Sequence, residues 1–346
     1  MKGEKMSQAP KTDEIRPTRR TLLAGASGLA AAAAIAPAAG AEEAATLDFK
    51  GRSVLITGTS SGFGRLTALL LARYGATVIA SMRNLDGGAR AEARDLMTIA
   101  QNEDLDLHVV EIDVVDDASV AAGVAEAERI AGGALDVVVN NAGIGVGGPA
   151  ELSDMEVTKL IFETNLYGYM RVANAALPNM REKGAGQIFN VSSQLGRFVI
   201  PGLSLYCATK FGLEAMFETM AYELAPTGVE ITIIQPGGYP TKIWDNGVRY
   251  TDEWMARVSD DKKAAYETHI AMARGMMGGR SYSTNPIDVP NAIAEIMAMP
   301  AGKRPLRRVV HPRPDAAAGA NAALAQVQAG VLGQGSFASW HEAVTD

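Results

Sequence analysis

Six short apolar runs, rich in β-branched residues, recur along this chain: Ser53 to Thr57, Thr77 to Ser81, His108 to Ile112, Val137 to Asn140, Gln187 to Ser192 and Glu230 to Gln235. Each is four to six residues long and closes on Gly, Asn, Asp or Pro, as buried strands do. Stretches of helical periodicity fill the gaps between them. Strands apolar on both sides that alternate with helices require a parallel sheet covered on both faces, and right-handed crossovers make it doubly wound. A seventh run, Arg307 to His311, can close the sheet. The expected architecture is a single α/β domain with a mainly parallel sheet and helices on both faces.

The first run ends in Thr57-Gly58-Thr59-Ser60-Ser61-Gly62-Phe63-Gly64 and leads into a helical stretch, Arg65 to Tyr74. Glycines let the backbone turn sharply and approach a pyrophosphate, while the free N–H groups and dipole of the new helix favour the anion. Glycine also serves ordinary turns, so the weight of this loop comes from its place between a strand and a helix. It reads as the phosphate site of a Rossmann-type dinucleotide fold, with Gly58, Ser60, Ser61, Gly62, Phe63 and Gly64 facing the ligand. At the end of the second strand, where an acidic side chain would select the adenosine ribose, stands Ser81-Met82-Arg83-Asn84. The forked guanidinium of Arg83, with Ser60 beside it, suits a 2′-phosphate and argues for NADP(H) over NAD(H). Read otherwise, Arg83 is a solvated charge at a strand end. Asp113 either meets the adenine edge or caps the next helix.

Tyr206 and Lys210 stand four apart at the start of the helical stretch Tyr206 to Ala225 and project from one face. A free tyrosine, with pKa about 10, is a poor acid or base near neutrality, and an adjacent ammonium would lower that value. Ser193 ends a strand at the carboxyl edge of the sheet, where open α/β sheets bind ligands, and could hydrogen-bond a reacting oxygen. Each of these residues alone is more often a surface or capping group.

Together they closely resemble the short-chain dehydrogenase/reductase family over roughly Gly51 to Thr241. Thr57-Gly58-x-x-x-Gly62-x-Gly64 is similar to the family's cofactor loop, and Asn140-Asn141-Ala142-Gly143 to the element after its fourth strand. Asn165 falls where the family keeps a catalytic asparagine. Ser193 precedes Tyr206 by the family's interval, Tyr206-x-x-x-Lys210 completes its tetrad, and Pro236-Gly237-x-x-x-Thr241 resembles the segment beside the nicotinamide carboxamide. The resemblance implies an NADP(H)-dependent oxidoreductase that interconverts an alcohol and a ketone or aldehyde. In it Tyr206 moves the proton and Ser193 holds the substrate oxygen. Lys210 binds the nicotinamide ribose and lowers the Tyr206 pKa, and Asn165 holds a relay water. Asn141, Ala142, Gly143, Pro236, Gly237 and Thr241 join the cofactor site. The chain departs from the family at Phe63, usually a small aliphatic residue, and at Cys207 after the tyrosine.

Residues 242–285 fall where such proteins place a substrate lid, and Trp244, Tyr250, Trp254, Met255, Tyr266, Met272, Met276 and Met277 there suggest an apolar wall and a hydrophobic substrate. The same residues at helical spacing can instead be core. Residues 313–346, with the Ala/Gln-rich stretch Ala316 to Ala338, read as a helical extension that either packs on a neighbouring subunit or frays. The expected assembly is a homodimer or homotetramer, as is usual for relatives.

Ahead of this domain, residues 1–41 carry six basic and three acidic side chains. An arginine pair, Arg19-Arg20, precedes a mildly apolar alanine-rich run that ends in small residues, the order of a bacterial twin-arginine leader cleaved after Ala41. The expectation is a periplasmic product spanning a catalytic domain, 42–312, and the extension. The Ala/Gly-rich run is a poor membrane span. The remaining 305 residues hold 26 basic and 36 acidic side chains, which gives no general electrostatic case for nucleic acid and none for a membrane once the leader is removed. A single cysteine, Cys207, and four dispersed histidines argue against a metal site. Two rival functions stay open: an NADP-binding sensor without turnover, and a nucleotide-sugar epimerase or dehydratase, which would normally need a larger carboxy-terminal domain.

Overall fold

The computed structural model describes residues 47–278 and 283–344. The expected leader, residues 1–41, lies outside them, as do residues 279–282 of the expected lid. Seven parallel strands form one sheet: β1 (Ser53–Thr57), β2 (Thr77–Met82), β3 (Leu107–Glu111), β4 (Val137–Asn140), β5 (Gly186–Val191), β6 (Val229–Pro236) and β7 (Arg307–Val310). Their spatial order is β3-β2-β1-β4-β5-β6-β7. The winding direction reverses between β1 and β4, and the strand ends there open a crevice in which such folds bind ligands. Every apolar run read as a strand is one, within a residue or so at each end.

Side chains of successive strand residues point to opposite faces, so each strand feeds two cores. Val54, Ile56, Val78 and Val139 pack on one face with Leu71, Leu96 and Ile293, which come from helices α1 (Gly62–Arg73), α2 (Ala91–Asn102) and α10 (Asp288–Ala298). Leu55, Ile79, Val138 and Ile188 pack on the other with Val124, Val172 and Phe217, from α3 (Asp117–Ala131), α5 (Gly168–Lys183) and α6 (Ser204–Leu224). A single helix, α4 (Met155–Phe162), runs into α5 through one wide π-helical turn, Glu163–Tyr167.

A third cluster lies under α7 (Lys242–Met255) and α9 (Glu267–Met277), which with the exposed α8 (Asp260–Ala265) fall in the span expected as a lid. Trp254 of α7 and Met277 of α9 seat on the loop after β4 where it is glycine, at Gly147 and Gly148. A Cβ on Gly148 would come within 2.7 Å of the Trp254 ring, and one on Gly147 within 2.8 Å of Met277 Cε. Trp254 Nε1 donates to Leu152 O at 2.8 Å, and Thr251 Oγ1 accepts from Gly147 N at 2.9 Å.

The expected extension is helical, α11 (Asp315–Leu332) and α12 (Ala338–Val344), and it docks on its own chain. Asn321 and Gln235 exchange two side-chain hydrogen bonds, of 2.7 and 3.3 Å, and His341 of α12 stacks on Tyr222 of α6. Among the described residues, no helix is long and apolar enough to cross a membrane.

Candidate active site

All six of the first strands send their carboxyl ends to one crevice of about 330 Å³. Its lining includes Gly58, Ser60, Ser61, Gly62 and Phe63 from β1 and α1, Arg83 beyond β2, Asp113 beyond β3, and Asn141, Ala142 and Gly143 beyond β4. Ser193, Tyr206, Lys210, Pro236, Gly237 and Thr241 complete the expected set within it. Thus residues drawn from across the sequence share one cavity of the size that holds small ligands.

The glycine loop is built for close approach. Gly58 has φ +72°, and a Cβ there would lie 2.8 Å from Ala142 Cα, so the turn can pass over the loop after β4 only as glycine. Thr57 Oγ1 accepts from Asn141 N and Ala142 N at 2.9 and 3.0 Å, and Asn141 Nδ2 donates to Thr57 O and Gly58 O at 2.9 and 3.1 Å. These four bonds lock the two loops together. Ser61, the N-cap of α1, makes no side-chain cap, and the first turn carries no acidic residue, so its N–H groups remain available for an anion. Phe63, the departure from the usual small residue, packs edge-on against Tyr239 with ring centroids 5.5 Å apart.

Gly64 departs from the expectation. It does not line the crevice: a Cβ there would strike Asn141 Nδ2 and lie 2.5 Å from Gly58 O, so this glycine lets α1 pack under the loop. Asn165 also stands outside the lining. It sits fully buried in the π-helical turn, where its Oδ1 accepts from Ile144 N at 2.9 Å and its Nδ2 donates to Ile144 O at 2.8 Å. Its side-chain amide is engaged in fixing the loop after β4. Asp113 faces the crevice, and the capping alternative passes to Asp116, which accepts from Ser119 N at 2.7 Å.

Around the reacting groups, burial sets the protonation. Tyr206 is 5% exposed, and burial pushes its phenol up to about 12, against a hydrogen bond from Ser193 that lowers it. Ser193 Oγ accepts from Leu195 N at 3.1 Å, which leaves its proton for the phenol oxygen. Lys210 Nζ donates to Val191 O at 2.9 Å and lies between the rings of Tyr169 and Tyr206, 5.2 and 5.8 Å from their centroids. Burial lowers the lysine to about 7, with Glu214 opposing the shift. The expected acidification of Tyr206 by Lys210 is therefore corrected. The ammonium is directed at a carbonyl and is itself close to losing its proton, so desolvation outweighs it and the phenol stays protonated at neutral pH.

At the adenosine end, Arg83 Nη2 donates to Tyr250 Oη at 3.0 Å, and Arg90 at the start of α2 donates to the Arg83 carbonyl. Arg90, Lys242 and Arg249 line the crevice with Arg83 and went unmarked in the sequence reading, though a cation seven residues beyond a strand-end arginine is a usable signal. The cationic wall, the open helix terminus and the bare glycine turn fit a dinucleotide phosphate chain.

Of the eight aromatic and thioether residues expected to wall the substrate site, only Trp244 and Tyr250 line the crevice. The Trp244 ring is tilted over Tyr206 with centroids 5.8 Å apart. Trp254, Met255 and Met277 are buried in the seat of the lid, Met276 packs beside it, and Met272 is exposed. Tyr266 donates to Glu151.

Comparison with known proteins agrees with this arrangement. Residues 52–249 match the family model for short chain dehydrogenases. The chain is 33% identical over 258 residues to the uncharacterized oxidoreductase YusZ of Bacillus subtilis, covering 75% of this chain and 87% of that protein. It is 31% identical over 265 residues to retinol dehydrogenase 8 of Bos taurus, covering 76% and 82%. A short chain dehydrogenase/reductase of Burkholderia phymatum, solved in complex with NAD, superposes with a TM-score of 0.64 at 25% identity over 83% of this chain and 96% of that one.

Proposed function

The chain belongs to the short chain dehydrogenase family, an oxidoreductase family that uses a nicotinamide cofactor, and from that premise we propose that it is an NADP(H)-dependent enzyme interconverting a hydrophobic alcohol and its ketone or aldehyde. The observation that carries this reading is the meeting of Ser193, Tyr206 and Lys210 in the crevice that also holds Arg83 and the glycine turn.

Gly58 to Phe63 and the first turn of α1 would hold the pyrophosphate, Arg83 and Arg90 a 2′-phosphate, and Lys210 the nicotinamide ribose. When bound, the nicotinamide supplies or accepts the hydride. In the reductive direction a substrate carbonyl oxygen lies against the Ser193 and Tyr206 hydroxyls, and the phenol gives up its proton to the forming alkoxide. A phenol kept protonated by burial suits that task, and the Ser193 bond eases departure of the proton. Lys210, poised near pH 7, is the next group able to pass a proton. Trp244, over the phenol, shields the reacting carbon from water and offers an apolar face to the substrate. The likeness to a retinol dehydrogenase and the Trp244 ring over Tyr206 support a bulky apolar substrate.

Oxidation of NADPH by the purified protein, screened against apolar aldehydes, steroid ketones, quinones and small ketones, tests the proposal. Turnover of the apolar carbonyls with NADPH preferred over NADH is expected. NADH preference would refute the assignment of Arg83, and no turnover with any carbonyl would refute the enzymatic reading. The proposal includes a homodimeric or homotetrameric assembly, measurable by sedimentation. It also includes export of residues 42–346 behind the 1–41 leader, measurable by replacing Arg19 and Arg20 with lysine and following the mature product in cell fractions.

A further inference from the structure

Helix α6 carries a third polar residue on the face of Tyr206 and Lys210. Glu214 lies four residues past the lysine and is 1% exposed. A buried carboxylate is costly unless compensated, and this one is held on every side. Its Oε2 accepts from Arg307 Nε at 3.0 Å and stands 3.1 Å from Arg197 Nη2 as an ion pair, while its Oε1 accepts from Gln235 Nε2 at 2.9 Å. Glu218, one turn further on, shares the same two guanidinium groups.

The partners of Glu214 come from the parts that the reaction needs in register. Arg197 follows directly on the short turn Gln194–Gly196, which Ser193 caps. Arg307 opens β7. Gly196 presses that turn flat on α6: a Cβ there would lie 2.8 Å from Glu214 Cγ, 3.1 Å from Lys210 O and 3.1 Å from Ser192 Oγ. The groups that face Lys210 are the Val191 carbonyl from β5, the Tyr169 ring from α5, and Tyr206 and Glu214 from α6. Of these, Glu214 carries the charge. The ion pairs therefore reach both the Ser193 turn and the lysine from a position outside the crevice lining.

We propose that Glu214 is a positioning residue for the reaction: clamped by Arg197 and Arg307, it holds the Ser193 turn in register with Tyr206 and favours the ammonium form of Lys210. This rests on the reading of Tyr206 and Lys210 as the reacting pair. A merely structural ion-pair cluster would brace α6 against β7 without touching the proton affinity of the lysine.

The two are separated by titrating Lys210 in the full chain by NMR with 13Cε-labelled lysine, its resonance identified by its loss in Lys210→Arg. That readout needs no turnover, so it stands even if the enzymatic reading falls. Glu214→Gln is expected to lower the Lys210 midpoint by about one pH unit, a tenfold loss of proton affinity. The alkaline limb of the reductase pH profile should move with it. Glu214→Asp, which restores the charge, should return both toward the parent, and Glu218→Gln, one turn farther from the lysine, should leave both in place. A midpoint unmoved by Glu214→Gln, or moved equally by Glu218→Gln, overturns the proposal. If Glu214→Gln does not fold, the charge-balanced pair E214Q/R307Q is read against Arg307→Gln alone: a lower midpoint in the pair supports the proposal, and equal midpoints overturn it.

Discussion

The two walls of the crevice are built on opposite principles. The sheet-side wall is made of strand ends, and its key polar groups are fixed by hydrogen bonds to nearby backbone: Thr57 with Asn141, Ser193 with Leu195, Lys210 with Val191. The lid-side wall, from α7, sets Trp244 and Tyr250 beside the cations Lys242 and Arg249, and its position depends on the fit of Trp254 and Met277 against Gly147 and Gly148. A polar wall whose donors are fixed in advance can stabilise developing charge without rearranging. A wall seated largely by shape sets how well a substrate fits, and small changes of volume shift it.

The sharpest test of this contrast removes the proton donor. Tyr206→Phe should cut reductase kcat/KM by about 10²- to 10⁴-fold while NADPH affinity and thermal stability hold, measured by steady-state kinetics and fluorescence titration. Unseating the lid should come next. Gly148→Val places methyl groups where the Trp254 ring lies, and displacing α7 by about 1 Å should cost up to about 10²-fold in kcat/KM, with a smaller loss of NADPH affinity through Lys242 and Arg249. If it weakened cofactor binding as much as turnover, the two walls would not be separable.

Arg83→Asp should move the ratio of NADPH to NADH use by about 10- to 100-fold toward NADH, the worth of a charged hydrogen bond gained or lost. Trp244→Ala should raise KM for bulky apolar substrates by about tenfold and leave small ketones little changed.

Stability should report on the lysine alone. Its folded pKa, about 7, lies below its unfolded value of about 10.4. Between those values the unfolded chain binds more protons, so the cost of burying Lys210 is full below about pH 7 and is relieved as pH rises toward 10. Relative to Lys210→Met, the parent should gain about 1.4 kcal/mol per pH unit across that window in urea unfolding.

What the sequence made legible divides along the same line. The strands and the sheet-side wall are written in local signals: apolar runs closed by turn residues, glycines at a strand end, and a Tyr and Lys four apart. Lid-side contacts span long intervals, as Trp254 meets Leu152 and Gly148 about a hundred residues away. Nothing in the local pattern separates an aromatic that seats a lid from one that faces a substrate, which is why only Trp244 and Tyr250 of the expected wall reach the crevice. The π-helical turn that ties the Asn165 amide to Ile144 leaves no mark in periodicity. Spacing shows that Tyr206 and Lys210 are near one another and not how deeply they are buried, so the raised proton affinity of the phenol has no mark in the sequence.

The central claim is that a buried phenol in this crevice completes hydride transfer from a nicotinamide by protonating a carbonyl. It is tested most directly by the full chain reacting with NADPH deuterated at the transferring position and the best carbonyl substrate, with and without Tyr206→Phe. The account predicts a primary isotope effect in the parent and turnover reduced at least about 10²-fold in the variant with NADPH still bound. A variant that reduces the carbonyl as fast as the parent would contradict it.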